Sequence, residues 1–264
     1  MKEIGNEELK RLQLEILKNV HSFCERNQIT YSLGYGTCLG AVRHKGFIPW
    51  DDDIDIIMPR PDYERFINSY TDRNYEVLWY PHDKDFPFVF GKVCDKRTVF
   101  IEDNEVGCSN MGVNIDVFPV DGLSKKPSTA KRHVRLSILL HGMMNVKGIS
   151  LNTAKSFKFK MILIAMKALC LPFPYKTLLK MFRKSNVKYS FEESMFAENL
   201  SYPKFRRIVP AGVFKEYKLA QFEDSEFMIP VRYDEYLRSL YGDYMQLPPE
   251  SKRESHHFFR AYWK

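Results

Sequence analysis

Between residues 124 and 190 the chain has no aspartate or glutamate at all, against 15 lysines and arginines. A solvated helical surface usually alternates acids and bases along its exposed face, and this block departs from that pattern. The rest of the molecule holds 25 basic and 33 acidic residues, so the formal charge of +7 hides an acidic body carrying one basic block. No run approaches the roughly 20 apolar residues that a membrane-crossing helix needs. There is no internal repeat and no low-complexity tract, which removes solenoids and disordered tails. The five cysteines (Cys24, Cys38, Cys94, Cys108, Cys170) never fall within four positions of one another, so neither a zinc knuckle nor a disulfide framework is expected, only reduced, mostly buried thiols. The segment Met1 to Lys10 has two lysines, three glutamates and no apolar run, so no signal peptide is expected and the cytoplasm is the expected compartment.

What is present is a chain of 264 residues, 44% hydrophobic and 14% aromatic, long enough for a sizeable core and a cleft. Leu9, Leu12, Ile16, Val20 and Phe23 recur at steps of three and four, predicting a core-facing helix over 7–26. A short strand over 29–33 should break at a glycine turn, Gly34-Tyr35-Gly36-Thr37, before a brief helix over 38–44. The run from Ile54 to Met58 is β-branched and ends at Pro59 and Pro61, which predicts a strand, with a helix over 62–70 behind it. Further strands are expected at 75–80, 88–94, 98–102 and 112–118, and Asp121-Gly122 reads as a turn. The expected fold is α/β (α+β): a mixed sheet flanked by helices over 1–123, a basic helical insertion over 124–190, and a part over 191–264 that completes the first. In the insertion, Lys155, Lys158, Lys160, Lys176, Lys180, Arg183 and Lys184 flank an apolar stretch from Met161 to Leu171. Basic and apolar residues interleaved without acids describe a segment lying in the headgroup region of an anionic membrane. A solvated face over an ordinary core helix is the bland alternative. Nucleic acid is not expected, because the intervening side chains are long aliphatics rather than stacking platforms.

Four aspartates in five positions, Asp51-Asp52-Asp53-Ile54-Asp55, are the feature that packing explains least. On a strand Asp53 and Asp55 would leave the same face about 7 Å apart. At an effective dielectric near 20 their repulsion is roughly 2 to 3 kcal/mol. A cation among them relieves it, and hard oxygens without a nearby thiol favour Mg²⁺ or Mn²⁺. A calcium loop fails, since Ile56 stands where the loop needs glycine and Asp62 where it needs glutamate. An exposed acidic turn fits poorly with Phe47-Ile48-Pro49-Trp50 on one side and Ile54, Ile56 and Ile57 on the other. Mg²⁺ on one or two carboxylates completes its shell with water and substrate phosphates, so this pattern beside a Gly-Thr turn suggests phosphoryl or nucleotidyl chemistry. The turn's N–H groups at Gly36 and Thr37 can receive phosphate oxygens, and Arg43 can pair with another. Asp116, a lone acid in an apolar strand, is the candidate third carboxylate.

The stretch Gly36-Thr37-Cys38-Leu39-Gly40-Ala41-Val42-Arg43-His44-Lys45-Gly46-Phe47-Ile48-Pro49-Trp50-Asp51-Asp52-Asp53-Ile54-Asp55-Ile56 closely resembles the signature of the LicD family of phosphotransferases. The resemblance continues in Asp116-Val117-Phe118-Pro119, in Phe222-Glu223 with Ile229-Pro230, and in Tyr241-Gly242-Asp243-Tyr244 through Leu247-Pro248-Pro249 to Arg253, His256 and His257. It is loose only over about 125–206. It implies a nucleotidyltransferase-like fold and transfer of phosphocholine from CDP-choline to a bacterial surface glycan, with fukutin and its related protein as distant relatives that transfer ribitol phosphate from CDP-ribitol. By position it implies that Gly36 and Thr37 form the glycine turn and that Asp53, Asp55 and Asp116 are catalytic metal ligands. The larger nucleotidyltransferase motif has no counterpart to Asp51, which stands as a further candidate metal ligand, and Arg43, His44, Lys92, Arg97, Arg253, His256 and His257 are candidate phosphate contacts. The implied cofactor is Mg²⁺ or Mn²⁺. The implied partners are a CDP-alcohol and a lipid-linked glycan acceptor at the inner face of the cytoplasmic membrane.

Three rival readings use the same acids: a nucleotidyltransferase that leaves the nucleotide on its acceptor, a membrane-bound scaffold with a structural metal, and a glycosyltransferase, which would need a longer parallel sheet.

Overall fold

The computed structural model describes residues 1–79, 88–102, 111–151, 156–201, 208–253 and 259–264. Strand β1 (Lys2–Ile4) leads into helix α1 (Asn6–Asn27), whose predicted stripe Leu9, Leu12, Ile16, Val20 and Phe23 is buried throughout. Glu7 and Glu8 favour its first turn through the helix dipole. The helix stops at Gln28, which takes the left-handed conformation (φ 53°) so that its N–H reaches the carbonyls of Cys24 and Glu25. Helix α2 (Tyr35–Arg43) follows β2 (Ser32–Leu33), then β3 (Asp55–Pro59), α3 (Arg60–Ser69), β4 (Tyr75–Leu78), β5 (Gly91–Asp95), β6 (Thr98–Glu102) and the long β7 (Asn114–Leu123). The basic block forms α4 (Pro127–Gly148), α5 (Phe157–Cys170) and α6 (Tyr175–Asn186). The chain then adds β8 (Phe196–Glu198), β9 (Val209–Pro210), the hairpin β10 (Tyr217–Phe222) and β11 (Ser225–Pro230), α7 (Tyr233–Tyr241) and β12 (Phe259–Trp263).

The main sheet runs β2-β3-β7-β5-β4, with β8 and β9 attached through the far end of β7. Among the described residues β3 and β7 are the only parallel pair, so the long parallel sheet that a glycosyltransferase reading requires is not there. Ile56, Ile57 and Met58 are all buried in succession, as expected of a strand covered on both faces. Phe23 of α1 meets Phe66 and Tyr70 edge-on, tying α1 to α3. The first and last strands join in a separate sheet, β1-β12-β6. The four described cysteines are buried, free thiols; Cys108 lies outside the described residues.

Three local expectations change. The expected glycine turn is the first turn of α2, entered through Tyr35 at φ 42°. Asp53 precedes β3 instead of sharing its face with Asp55, since the strand begins only at Asp55. Asp121 is not a turn residue. It lies in β7, fully buried, where Arg60 Nε donates to its Oδ1 at 2.6 Å. A Cβ on the next residue, Gly122, would stand 2.6 Å from the Ser190 carbonyl, so glycine there reports close packing between segments.

Gly40 in α2 is another close approach, because a Cβ would collide with the backbone carbonyl of Gly46. That contact folds the loop leading to the aspartates back onto the helix. The loop is held from its other side by Glu223, whose side chain accepts the Phe47 N–H at 2.9 Å and whose own N–H donates to Lys45 O at 2.8 Å. Gly40→Ala is expected to cost about 1–3 kcal/mol through backbone overlap. Gly142→Ala, in α4 with open space around it, should stabilise slightly. Calorimetric melting of the two variants measures both signs.

Candidate active site

Strand register puts three charged residues in a row. Asp55 on β3 is the partner of Asp116 on β7, and Asp116 is the partner of Lys92 on β5. Partners on adjacent strands share a sheet face. Lys92 Nζ makes a short charge-assisted hydrogen bond to Asp116 Oδ1 and a second, at 3.2 Å, to Asn114 Oδ1. Its ammonium lies 4.9 and 5.5 Å from the ring centres of Phe88 and Phe90. Burial alone would push the Lys92 pKa down, and Asp116 more than reverses that, so the group stays charged.

Helix α2 fixes the backbone around Asp55. Thr37 Oγ1 accepts the Asp55 N–H at 2.8 Å, and the Gly34 N–H donates to Asp55 O at 2.8 Å. Asp116 N–H reaches Ile54 O at 2.9 Å, closing the same turn against β7. A Cβ on Gly36 would stand 2.6 Å from Asp51 Oδ2, so the glycine lets the Asp51 carboxylate lie against the helix start. Burial, and then the negative charges of Asp53, Asp116 and Asp51, hold the Asp55 carboxyl well above its ordinary range, with Lys92 pulling the other way.

Asp51, Asp53, Asp55 and Asp116 open together into one cavity of about 1150 Å³, which Gly36 and Arg43 also line. The other expected phosphate contacts are placed differently. Thr37 is buried and its hydroxyl is engaged with Asp55. His44 stands edge-on to Trp50, and its pKa is lowered by burial and then by Arg43. Arg43 Nη1 donates to Tyr244 O at 2.6 Å, which draws the C-terminal segment onto the cavity wall. Arg253 lies 5.4 Å over the Trp50 ring and donates to Pro248 O at 2.8 Å, bracing the rim from behind. Arg97 is elsewhere: it forks onto Asp95 beside Tyr75 and Trp263. His256 and His257 lie outside the described residues.

A divalent cation suits the chemistry of this floor, since every acidic side chain there offers hard oxygen and Asp55 is crowded by three like charges. Among the described residues no three Asp, Glu, His or Cys side chains close on one point tightly enough to hold an ion by themselves.

A family model described as LicD/FKTN/FKRP, nucleotidyltransferase domain, matches residues 28–176. The chain belongs to the LicD family. It is 32% identical over 273 aligned positions, 99% of either chain, to the lipopolysaccharide cholinephosphotransferase LicD of Haemophilus influenzae. It is also 31% identical over 102 residues to the uncharacterized protein RT0683 of Rickettsia typhi, covering 37% of this chain and 32% of that one.

The LicD-family match extends through α4 and α5 to the start of α6, well into the stretch where the sequence signature is weakest. The cavity explains why those helices belong to the same unit. His141, Met144 and Asn145 of α4 and Tyr175 of α6 line it together with the aspartates, and no spacing in the sequence marks them. Asn199, which donates to Tyr35 Oη at 2.6 Å, and Asp243 are lining residues from the last third of the chain. Aromatic residues supply much of the wall. Tyr35 and Phe118 meet edge-on at 5.5 Å, and Phe118 stacks tilted against Phe90 at 4.3 Å.

Proposed function

We propose that this LicD-family chain transfers phosphocholine from CDP-choline to a hydroxyl of a bacterial cell-surface glycan precursor and releases CMP. The observation that carries the reading is the floor of Asp53, Asp55 and Asp116 in a cavity walled by aromatic rings. The near full-length likeness to a cholinephosphotransferase supports it. Residues 1–123 are the catalytic core in this reading, 124–190 the basic insertion and 191–264 the part that completes the core; residues of all three line the cavity.

Asp53 and Asp55, with Asp116 and Asp51, would hold Mg²⁺ or Mn²⁺, which supplies charge neutralisation to the diphosphate as the leaving group departs. Arg43 and the N–H groups of Gly36 and Thr37 bind the outer phosphate oxygens. Asp116, steadied by Lys92, orients the acceptor hydroxyl and takes its proton. The acceptor oxygen bonds to the phosphorus that bears choline. The bond from that phosphorus to the bridging oxygen breaks, and CMP keeps the electron pair. A trimethylammonium group has no N–H to donate, so ring faces are its natural contact. The acceptor is a precursor carried on lipid at the inner face of the cytoplasmic membrane, such as a teichoic acid, capsule or lipooligosaccharide unit.

The test is a panel of CDP-choline, CDP-glycerol and CDP-ribitol with Mg²⁺, following CMP release with and without glycan acceptors. CDP-choline is expected to react fastest. Preference for an alditol donor would replace choline with that alditol. A nucleotide found on the acceptor by product mass would replace head-group transfer with nucleotidyl transfer.

A further inference from the structure

We infer that α5 is an interfacial anchor that inserts into the headgroup region of an anionic bilayer, with its own chain's α4 and α6 as the mount. The inference rests on the proposed reaction only in naming why a glycan-modifying enzyme would sit there.

An isolated helix of 14 residues is about 21 Å long, short of the roughly 30 Å hydrocarbon layer. Among the described residues no single helix is long and apolar enough to cross a membrane; α5 and α6 pass such a test only as a pair bent by 77°. The two helices solve their apolar faces differently. α6 buries Leu178, Leu179 and Phe182 against Leu140 and Met144 of α4 and leaves Lys176, Lys180 and Lys184 outside, as an ordinary amphipathic helix does. α5 touches the protein through Leu163 and Cys170, two turns apart, which pack on Val146. Most of its other apolar residues face outward: Phe157 is 80% exposed, Leu169 77%, and Leu171, just beyond the helix, 73%.

Water does not favour so many large apolar groups on one exposed helix, and a patch of this kind marks an interaction surface. The charge around it selects the partner. Lys158 and Lys160 are exposed among these side chains, and no acid occurs anywhere from residue 124 to 190. A second copy laid face to face would set lysine against lysine. An anionic lipid surface meets both features at once, taking the rings and aliphatics below the phosphates and the ammonium groups at their level. Ser156 caps the helix by accepting the Phe159 N–H at 3.2 Å, and Lys167 Nζ donates to Lys147 O at 3.1 Å, so the anchor is a formed helix tied to its mount. The cavity wall begins close by: Tyr175, a lining residue, is four positions beyond the exposed Leu171.

Cosedimentation of the full chain with phosphatidylglycerol-containing vesicles, against pure phosphatidylcholine vesicles, tests the inference. The wild type should bind the anionic vesicles. Lys158→Glu with Lys160→Glu should weaken that binding about tenfold or more, and Phe157→Ser with Leu169→Ser should weaken it comparably. Melting temperatures should stay at the wild-type value, because all four side chains are exposed. Equal sedimentation of wild type and both variants would overturn the proposal. So would a wild type that ignores vesicles and forms dimers in the ultracentrifuge that Phe157→Ser with Leu169→Ser dissolves. CMP release in vesicle-free buffer should be unchanged in these variants. Vesicle binding without CMP release from any CDP-alcohol would reject the proposed reaction and leave the anchor standing.

Discussion

Asp55→Asn is expected to reduce transfer by about 10³-fold or more, while the purified protein, kept in EDTA, melts higher than the wild type. The two signs have one cause. Asp55 stands on β3 opposite Asp116, with Asp53 and Asp51 near enough to raise its pKa together with burial. Its charge is therefore a liability to the fold and an asset to a substrate that brings a cation. Asparagine keeps the shape and removes the repulsion, so stability should rise by about 2–4 °C for each kcal/mol relieved. The folded-state pKa of Asp55 lies above that of the unfolded chain. Its contribution is thus most favourable below the ordinary carboxylate range and is lost as pH rises through the folded value. The advantage of Asp55→Asn should accordingly grow with pH across that window. A site kept only for a structural ion would behave in the opposite way: with metal present, Asp53→Asn and Asp55→Asn would both lower the melting temperature. Melting curves with EDTA and with Mg²⁺, beside CMP release, separate the two cases.

The acid floor was legible in the sequence because carboxylates crowded between apolar anchors are costly unless something uses them, and that logic needs no long-range contact. Helix α1 was legible for a similar reason, since its buried stripe is a local period. The register that sets Asp55 beside Asp116 was not, because parallel pairing of segments about 60 residues apart depends on the whole sheet. Asp121 shows the limit of local rules. An Asp-Gly pair usually marks a turn, and here the aspartate is drawn into β7 by the Arg60 guanidinium while glycine makes room for residues 190–194. The sequence marked α5 as unusual through its missing acids. Only the structure shows that most of its apolar residues stay outside, whereas Leu178, Leu179 and Phe182 of the more polar α6 go inside. His141 and Tyr175 carried no signal, since each is a single polar aromatic residue in a helix and becomes a wall of the cavity only when α4 and α6 pack together.

Lys92 is where the fold and the proposed chemistry meet, and Lys92→Met should show it. The sequence makes Lys92 a candidate phosphate contact, but the ammonium is committed to Asp116 and Asn114 within the sheet. The side chains of Lys92 and Asp116 are only 13% and 21% exposed, so removing one partner strands a charge that water reaches poorly. Breaking a buried pair costs roughly 3–5 kcal/mol. With this partial exposure about 2–4 kcal/mol is expected, a fall of about 5–15 °C in melting temperature. Methionine fits the slot between Phe88 and Phe90, so little of that loss comes from packing. The double variant Lys92→Met with Asp116→Asn no longer strands a charge and should recover most of the stability. It should not recover transfer, because Asp116 is the group that orients the acceptor. A lysine serving only the donor phosphate would give another pattern: Lys92→Met would melt like the wild type, raise KM for the CDP-alcohol, and leave the double variant with nothing to recover. Thermal melts of the two single variants and the double variant, read as a cycle, measure the coupling directly.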